Sequence, residues 1–118
     1  MVATADIIDE IRGVIAERNL LDHPFYRAWQ KGELTLADLR TYAAQYYHHV
    51  LAFPQYVSAA HAICPSQPDR QELLENLIEE ERGEENHPEL WLRFGEGVGI
   101  ERADVEGAQA LPETQRLV

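Results

Sequence analysis

The segment Leu39-Arg40-Thr41-Tyr42-Ala43-Ala44-Gln45-Tyr46-Tyr47-His48-His49-Val50-Leu51-Ala52-Phe53-Pro54 decides the fold class. Leu39, Ala43, Tyr46, Val50 and Phe53 recur at alternating steps of four and three, and Val57, Ala60 and Cys64 carry the series on. That period is helical, and the apolar seam runs along one side of the helix. Thr35-x-x-Asp38 resembles a capping box and opens it. The spacing predicts one helix over Leu36–Cys64, roughly 40 Å long at about 1.5 Å per residue, and kinked near Pro54. Tyr42, His49 and Tyr56, each seven apart, form a polar-aromatic stripe beside the seam.

Outward from this helix the pattern stays helical. Thr4 reads as an N-cap, and Ile7, Ile8, Ile11, Val14 and Ile15 mark a first helix to about Arg18. Asp22-His23-Pro24 starts a short second helix, with His23 as the cap, Pro24 at its first position and Gly32 past its end. After the turn Cys64-Pro65-Ser66-Gln67-Pro68, Ser66-x-x-Asp69 caps a fourth helix whose apolar face is Leu73, Leu74, Leu77 and Ile78. Leu90, Trp91 and Phe94 predict a fifth helix that ends between Gly95 and Gly99. The remainder is weakly patterned, and Pro112-Glu113-Thr114 reads as one more helix start. No strand signal stands out. The expectation is an all-α chain of five helices.

Composition narrows the function. The 118 residues hold 21 acids and 10 bases, a net charge of -11. Thirteen of the acids and four arginines fall between Asp69 and Glu106, a local balance of -9. This speaks against nucleic acid or an anionic membrane as partner and suits cation binding. A lone Cys64 excludes an intrachain disulfide and a Cys-x-x-Cys zinc site. No apolar run approaches ~18 residues, and the N-terminus lacks the order of a signal peptide. These features predict a cytoplasmic chain.

The chemistry concentrates in Glu79-Glu80-Glu81-Arg82-Gly83-Glu84-Glu85-Asn86-His87-Pro88-Glu89-Leu90-Trp91. Two readings stay open. One is a solvated acidic helix ending at a histidine cap before Pro88. The other is half of a metal site. If one helix runs through Glu80 to His87, the two point the same way. Glu84 and His87 have the Glu-x-x-His spacing of dinuclear carboxylate bundles. Glu80 borders the apolar face of its helix, which favours the metal reading. His48, His49 and His61 do not share one helical face, so they resemble no ligand set. Cys64 reads as a small buried residue.

Several motifs occur in a fixed order: His23-Pro24-Phe25-Tyr26, Gly32-Glu33-Leu34-Thr35, Tyr46-Tyr47-His48-His49, Ala52-Phe53-Pro54, Glu79-Glu80-Glu81 and Asn86-His87-Pro88-Glu89-Leu90-Trp91. Together they resemble the TenA/PqqC superfamily, nearest to the branch of the chlamydial death-domain-associating protein. The resemblance spans about residues 7 to 115, where the family domain is about twice as long. It implies the N-terminal half of a haem-oxygenase-like helical bundle, so residues 1–118 form either a single helical domain or half of one. It also implies a dinuclear iron or manganese site in which Glu80 and His87 are ligands, with the other ligands in the second half. Glu84 has the better spacing, but the family motif falls on Glu80. The branch is implicated in making para-aminobenzoate from its own tyrosine with oxygen. Tyr26 matches that tyrosine, and Tyr42 another aromatic near the site. Cys64 does not sit in the context of the cysteine used by thiamin-hydrolysing members.

The resulting expectation is an oxygen-dependent, metal-binding oxidoreductase of cofactor biosynthesis, acting on a small molecule and incomplete in this chain alone. The alternative is a non-catalytic helical fragment or assembly module. The long seam needs more cover than the other helices offer, which predicts a homodimer or larger assembly.

Overall fold

The protein is described here from a computed structural model covering residues 3–118. It is all-α: the described residues contain seven α-helices and one 3₁₀ turn, and no strand. No helix among them is long and apolar enough to cross a membrane. The chain divides into two compact units, one ending at Thr35 and the other running from Leu36 to Val118.

The first unit holds α1 (Thr4–Glu17), a 3₁₀ turn (Leu20–Asp22) and α2 (Pro24–Gln30). Thr4 is the first helical residue rather than the cap. Ala3 holds the cap position, and its carbonyl takes the N–H groups of Asp6 and Ile7. The Asn19 side chain accepts from the Leu21 N–H at 3.0 Å and fixes the 3₁₀ turn. His23 caps α2 as expected: its Nδ1 accepts from the Phe25 N–H at 3.1 Å. The helix closes at Gly32, whose φ of +70° suits glycine. There the Glu33 N–H reaches the Ala28 carbonyl, satisfying a helix-end acceptor. Phe25 sits edge-on to Tyr26 at 5.1 Å between ring centroids. No residue from Ala3 to Thr35 is fully buried.

The second unit is built on α3 (Leu36–Ile63), with α4 (Gln67–Glu81), α5 (His87–Val98), α6 (Arg102–Glu106) and α7 (Pro112–Leu117) packed along it. The helix passes through Pro54 without ending; proline leaves the Val50 carbonyl without its usual N–H partner. The buried ridge of α3 is Ala43, Tyr47, Pro54 and Val57, with Ala44 beside it. This corrects the expected seam. Ala43 and Val57 are shared, but Tyr47 and Pro54 take the buried places that the pattern gave to Tyr46 and Phe53. One residue is about 100° around a helix, so the pattern located the apolar side but not its centre line.

Tyr47, Leu92 of α5 and Val105 of α6 form the core, flanked by Val50, Trp91 and Ile100. Val105 is fully sealed, although the sequence pattern there is weak. On α5 the buried positions are Leu92 and Gly95, while Leu90 is exposed and Trp91 and Phe94 are half-buried. Leu74 of α4 is likewise exposed, contrary to the expected apolar face. A Cβ on Gly95 would meet Ile100 and Val105 methyls at 3.3 Å, so the glycine allows α5 to approach α6 closely. Bonds between side chains and distant backbone tie α3 to the later elements. Trp91 Nε1 donates to the Ala43 carbonyl at 2.8 Å, and Arg40 Nε donates to the Val98 carbonyl at 2.8 Å. Gln45 accepts from the Leu111 N–H and from Thr114 Oγ1, and donates to the Gln109 carbonyl. These bonds bring the C-terminal segment onto α3.

Candidate metal and ligand cleft

The acidic stretch is two helices with a turn between them. α4 stops at Glu81, where the Arg82 N–H bonds the Ile78 carbonyl at 2.9 Å. Gly83 then turns at a φ of +85°. Asn86, not His87, is the cap of α5: its Oδ1 accepts from the Glu89 N–H at 3.0 Å, and its Nδ2 donates to the Gly83 carbonyl at 3.0 Å. His87 is the first residue of α5, followed by Pro88. A continuous helix from Glu80 to His87 is therefore overturned, and Glu84 lies in the exposed turn. Glu84 and His87 do not sit on one helical face.

The turn nevertheless brings Glu80 and His87 together. Glu80 is 6 % exposed, the one buried charged residue among the described ones. His87 Nδ1 stands 2.6 Å from its Oε1. A buried carboxylate needs a partner, and this imidazole supplies it. The proton of a neutral His87 is held at Nδ1 by the carboxylate, which leaves Nε2 with a lone pair. One carboxylate and one imidazole suit a hard or borderline cation such as iron or manganese. The fit is partial, because no group of three or more potential ligands occurs among the described residues.

The pair lines a cleft of about 390 Å³. Its α3 wall is Tyr46, His49, Val50 and Phe53, and its other wall includes Leu90 and Trp91. The α3 set has spacing i, i+3, i+4, i+7, so it forms one helical face. Tyr46 and Phe53, displaced from the core, face this cleft instead. Aromatic rings continue the wall. Tyr46 lies 5.0 Å from Trp91, and Tyr42 lies 5.3 Å from Tyr46 and 5.4 Å from Trp91. Of the expected stripe, His49 lines the cleft, Tyr42 backs its wall, and Tyr56 packs on His49 and Phe53. Tyr26 belongs to the first unit, where it packs on Phe25. Among the described residues, no group of three or more potential ligands includes His48, His49 or His61.

Sequence reasoning missed the charged clamp behind α5. Arg102 donates to both carboxylate oxygens of Glu89, at 2.6 and 2.7 Å, and also bonds Glu96. Arg93 donates to Glu89 at 3.1 Å and to Glu85 at 3.2 Å. The hydrogen bonds from Arg102 hold the Glu89 carboxyl down at about 2, against partial desolvation and with help from Arg93. The Glu89–Arg93 spacing of four was a readable signal; Arg102 is thirteen residues away and gave none. Burial pushes the Tyr47 phenol up, and the charges of Glu106 and Glu89 push the same way.

The sequence matches the TENA/THI-4/PQQC family over residues 9–118. The chain belongs to this family. A relative from Nitrosomonas europaea, named 4-aminobenzoate synthase, is 45% identical over 126 residues, covering 99% of this chain and 51% of the relative. The 4-aminobenzoate synthase of Chlamydia muridarum is 42% identical over 101 residues, 86% of this chain and 43% of the relative. The pyrroloquinoline-quinone synthase of Ectopseudomonas mendocina is 31% identical over 87 residues, 72% of this chain and 35% of the relative. The chain thus spans about half the length of the curated relatives it matches. The family membership bears out the resemblance carried by the ordered motifs, and with it the all-α TenA/PqqC helical bundle.

Proposed function

We propose that this chain supplies Glu80 and His87 to a dinuclear iron or manganese site of an oxygen-dependent oxidoreductase in cofactor biosynthesis, of the 4-aminobenzoate synthase type. The observation that carries the reading is the 2.6 Å pairing of a buried carboxylate with an imidazole, both lining an aromatic cleft. The similarity to proteins named 4-aminobenzoate synthase supports the reaction class. Such a metal pair would supply oxygen activation. The chain's own residues hold and orient: Glu80 fixes the His87 ring, and Tyr46, Phe53 and Trp91 exclude water from one side. Tyr26 and Tyr42 are the tyrosines proposed for oxidation, and Tyr42 contacts the cleft wall directly. Two ligands do not complete the site, so donors beyond this single pair are needed. A small-molecule substrate suits the size of the cleft.

Anaerobic titration with ferrous iron or manganese tests the ligand assignment without any activity. Weak binding is expected for the 118-residue chain. Glu80→Ala or His87→Ala should abolish it, and Glu84→Ala should leave it unchanged. Loss on Glu84→Ala alone would move the carboxylate role to that residue. The isolated chain should consume no oxygen with ferrous iron; consumption abolished by His87→Ala would overturn the incomplete site.

A second reading is a non-catalytic helical fragment or assembly module. The absence of a three-ligand cluster among the described residues favours it. Under either reading we propose self-association. Leu51, Phe53 and Ile63 leave apolar surface exposed on α3, as do Ile11, Val14 and Ile15 on α1. Sedimentation at micromolar concentration should show a dimer or larger, and a well-folded monomer would remove this proposal.

A further inference from the structure

The clamp behind α5 has a part that helix stability does not explain. Arg93 stands in the middle of α5, yet its guanidinium reaches back past His87. Nη2 donates to the Glu84 carbonyl at 3.3 Å, Nη1 to the Glu85 carboxylate at 3.2 Å and Nε to the Glu89 carboxylate at 3.1 Å. These acceptors bracket His87: two precede it in the turn and one follows it in α5. The bond to Glu89 is an ordinary pair four residues apart, with the acid on the N-terminal side. The other two carry a cation to the N-terminal end of its own helix, where the helix dipole disfavours positive charge. What they secure is the turn.

That turn has little packing to hold it. Residues 81–85 are all exposed, and Gly83 has open space around it. The His87 side chain is itself half exposed, and it meets Glu80 from the far side of the turn. A 2.6 Å bond between residues of two helices needs the backbone between them held, since a drift of about 1 Å breaks it. Arg93 is braced in turn from α6. Arg102 grips both oxygens of Glu89, at 2.6 and 2.7 Å, and Glu89 Oε1 accepts from both guanidinium groups. Bidentate pairs of this kind fix geometry as well as adding energy. The Arg93–Glu85 pair is open to water and contributes little. The Glu84 carbonyl and the braced Glu89 therefore carry the hold.

We propose that Arg93, braced by Glu89 and Arg102, is a positioning residue for the Glu80–His87 pair: it ties the turn at 82–86 to α5 and so keeps His87 Nδ1 against the Glu80 carboxylate. Among the described residues Arg93 bonds neither member of the pair, so it acts through the backbone on either side of His87. The consequence for metal binding rests on the reading of Glu80 and His87 as ligands; the consequence for the pair itself requires no metal.

Ring proton–nitrogen spectra of the 118-residue chain, recorded with a chelator at one slightly alkaline pH, report the pair directly. The native chain should show His87 protonated at Nδ1, with that proton shifted downfield by the carboxylate. Arg93→Met keeps the stem without a donor and should lose the downfield signal, because a released ring samples both tautomers. Arg93→Lys, a point charge that reaches one acceptor at a time, should recover part of it. The amides of Glu89 and Leu90 should exchange about tenfold faster in Arg93→Met, for the loss of a charged hydrogen bond, while those of Tyr47 and Val57 keep their protection. Retention of the His87 signal in a folded Arg93→Met overturns the proposal even if those two amides exchange faster, since the arginine then only stiffens the helix. If Arg93→Met does not fold, Arg102→Gln tests the same hold from its other end: a weakened His87 signal supports the proposal, and an unchanged one overturns it. Manganese titration without the chelator separates this inference from the ligand reading. Binding about tenfold weaker in Arg93→Met supports both, and equal binding overturns the positioning role. No binding by either chain, with the His87 signal still dependent on Arg93, supports the positioning role and sinks the ligand assignment.

Discussion

The helices α1 and α5 have similar sequence credentials and opposite fates. α1 carries Ile7, Ile8, Ile11, Val14 and Ile15 at helical spacing, and every one of them is exposed. α5 carries fewer aliphatic residues, yet Leu92 and Gly95 are buried, and Trp91 is bonded to the backbone of α3. An apolar ridge says that a helix forms and which side wants cover. It does not say what provides the cover. A helix of α1's length is marginal in water without packing, so its stability depends on whatever meets that ridge.

Substitution in the two helices should break or sharpen this contrast. Leu92→Ala removes a core side chain and should cost about 2–5 kcal/mol in urea unfolding. Ile11→Ala, 52 % exposed, should cost no more than about 0.5 kcal/mol. A large loss at Ile11 that grows with protein concentration would mean that association covers the ridge of α1.

Glycine replacements give a smaller contrast of the same kind. Gly99 ends α5 at a φ of +93°, and a Cβ there would meet the Arg40 guanidinium at 2.9 Å. Gly99→Ala should destabilise by about 1–3 kcal/mol through backbone strain, with loss of the Arg40 bond to Val98 adding to it. Gly13 lies inside α1 with open space around it. Gly13→Ala should therefore stabilise, by about 0.5–1 kcal/mol, visible as a gain in helicity.

The acid response should belong to the second unit. The Glu89 carboxyl is lowered from 4.5 to about 2 by its hydrogen bonds from Arg102 and Arg93. A lowered folded value stabilises the chain above the unfolded value, and that contribution fades as pH falls from about 4.5 toward 2. Unfolding midpoints measured across this window should drop for the native chain. Glu89→Gln should flatten that part of the profile; an unchanged slope would mean that other carboxylates dominate.

Much of the cleft was legible before any coordinates. Glu80 and His87 emerged from their place in the acidic stretch and from the ordered motifs. His49 emerged as part of a polar-aromatic stripe. The route between Glu80 and His87 differs from the expected helix, because Gly83 and Asn86 replace it by a turn and a new cap. Both signals are local: a glycine free to take positive φ, and a side chain three residues before the N–H it binds. They could have been weighed above the helical spacing. The clamp of Arg102 on Glu89 had no such signal, since no sequence rule pairs residues from separate helices.

The sequence by itself determined the helices α1 to α5, their order and the caps at His23 and Ser66, because these depend on neighbours within a few residues. It also determined the family, through motifs whose order survives in the chain. Only the tertiary structure decided that Tyr47 rather than Tyr46 enters the core, and that Val105 of a weakly patterned segment is sealed. Only it brought Glu80 within 2.6 Å of His87 around a turn. The physical reason is one of angles. A shift of one residue turns a side chain about 100° around its helix, so burial depends on where the neighbouring helix lies, and that is fixed by packing among distant residues.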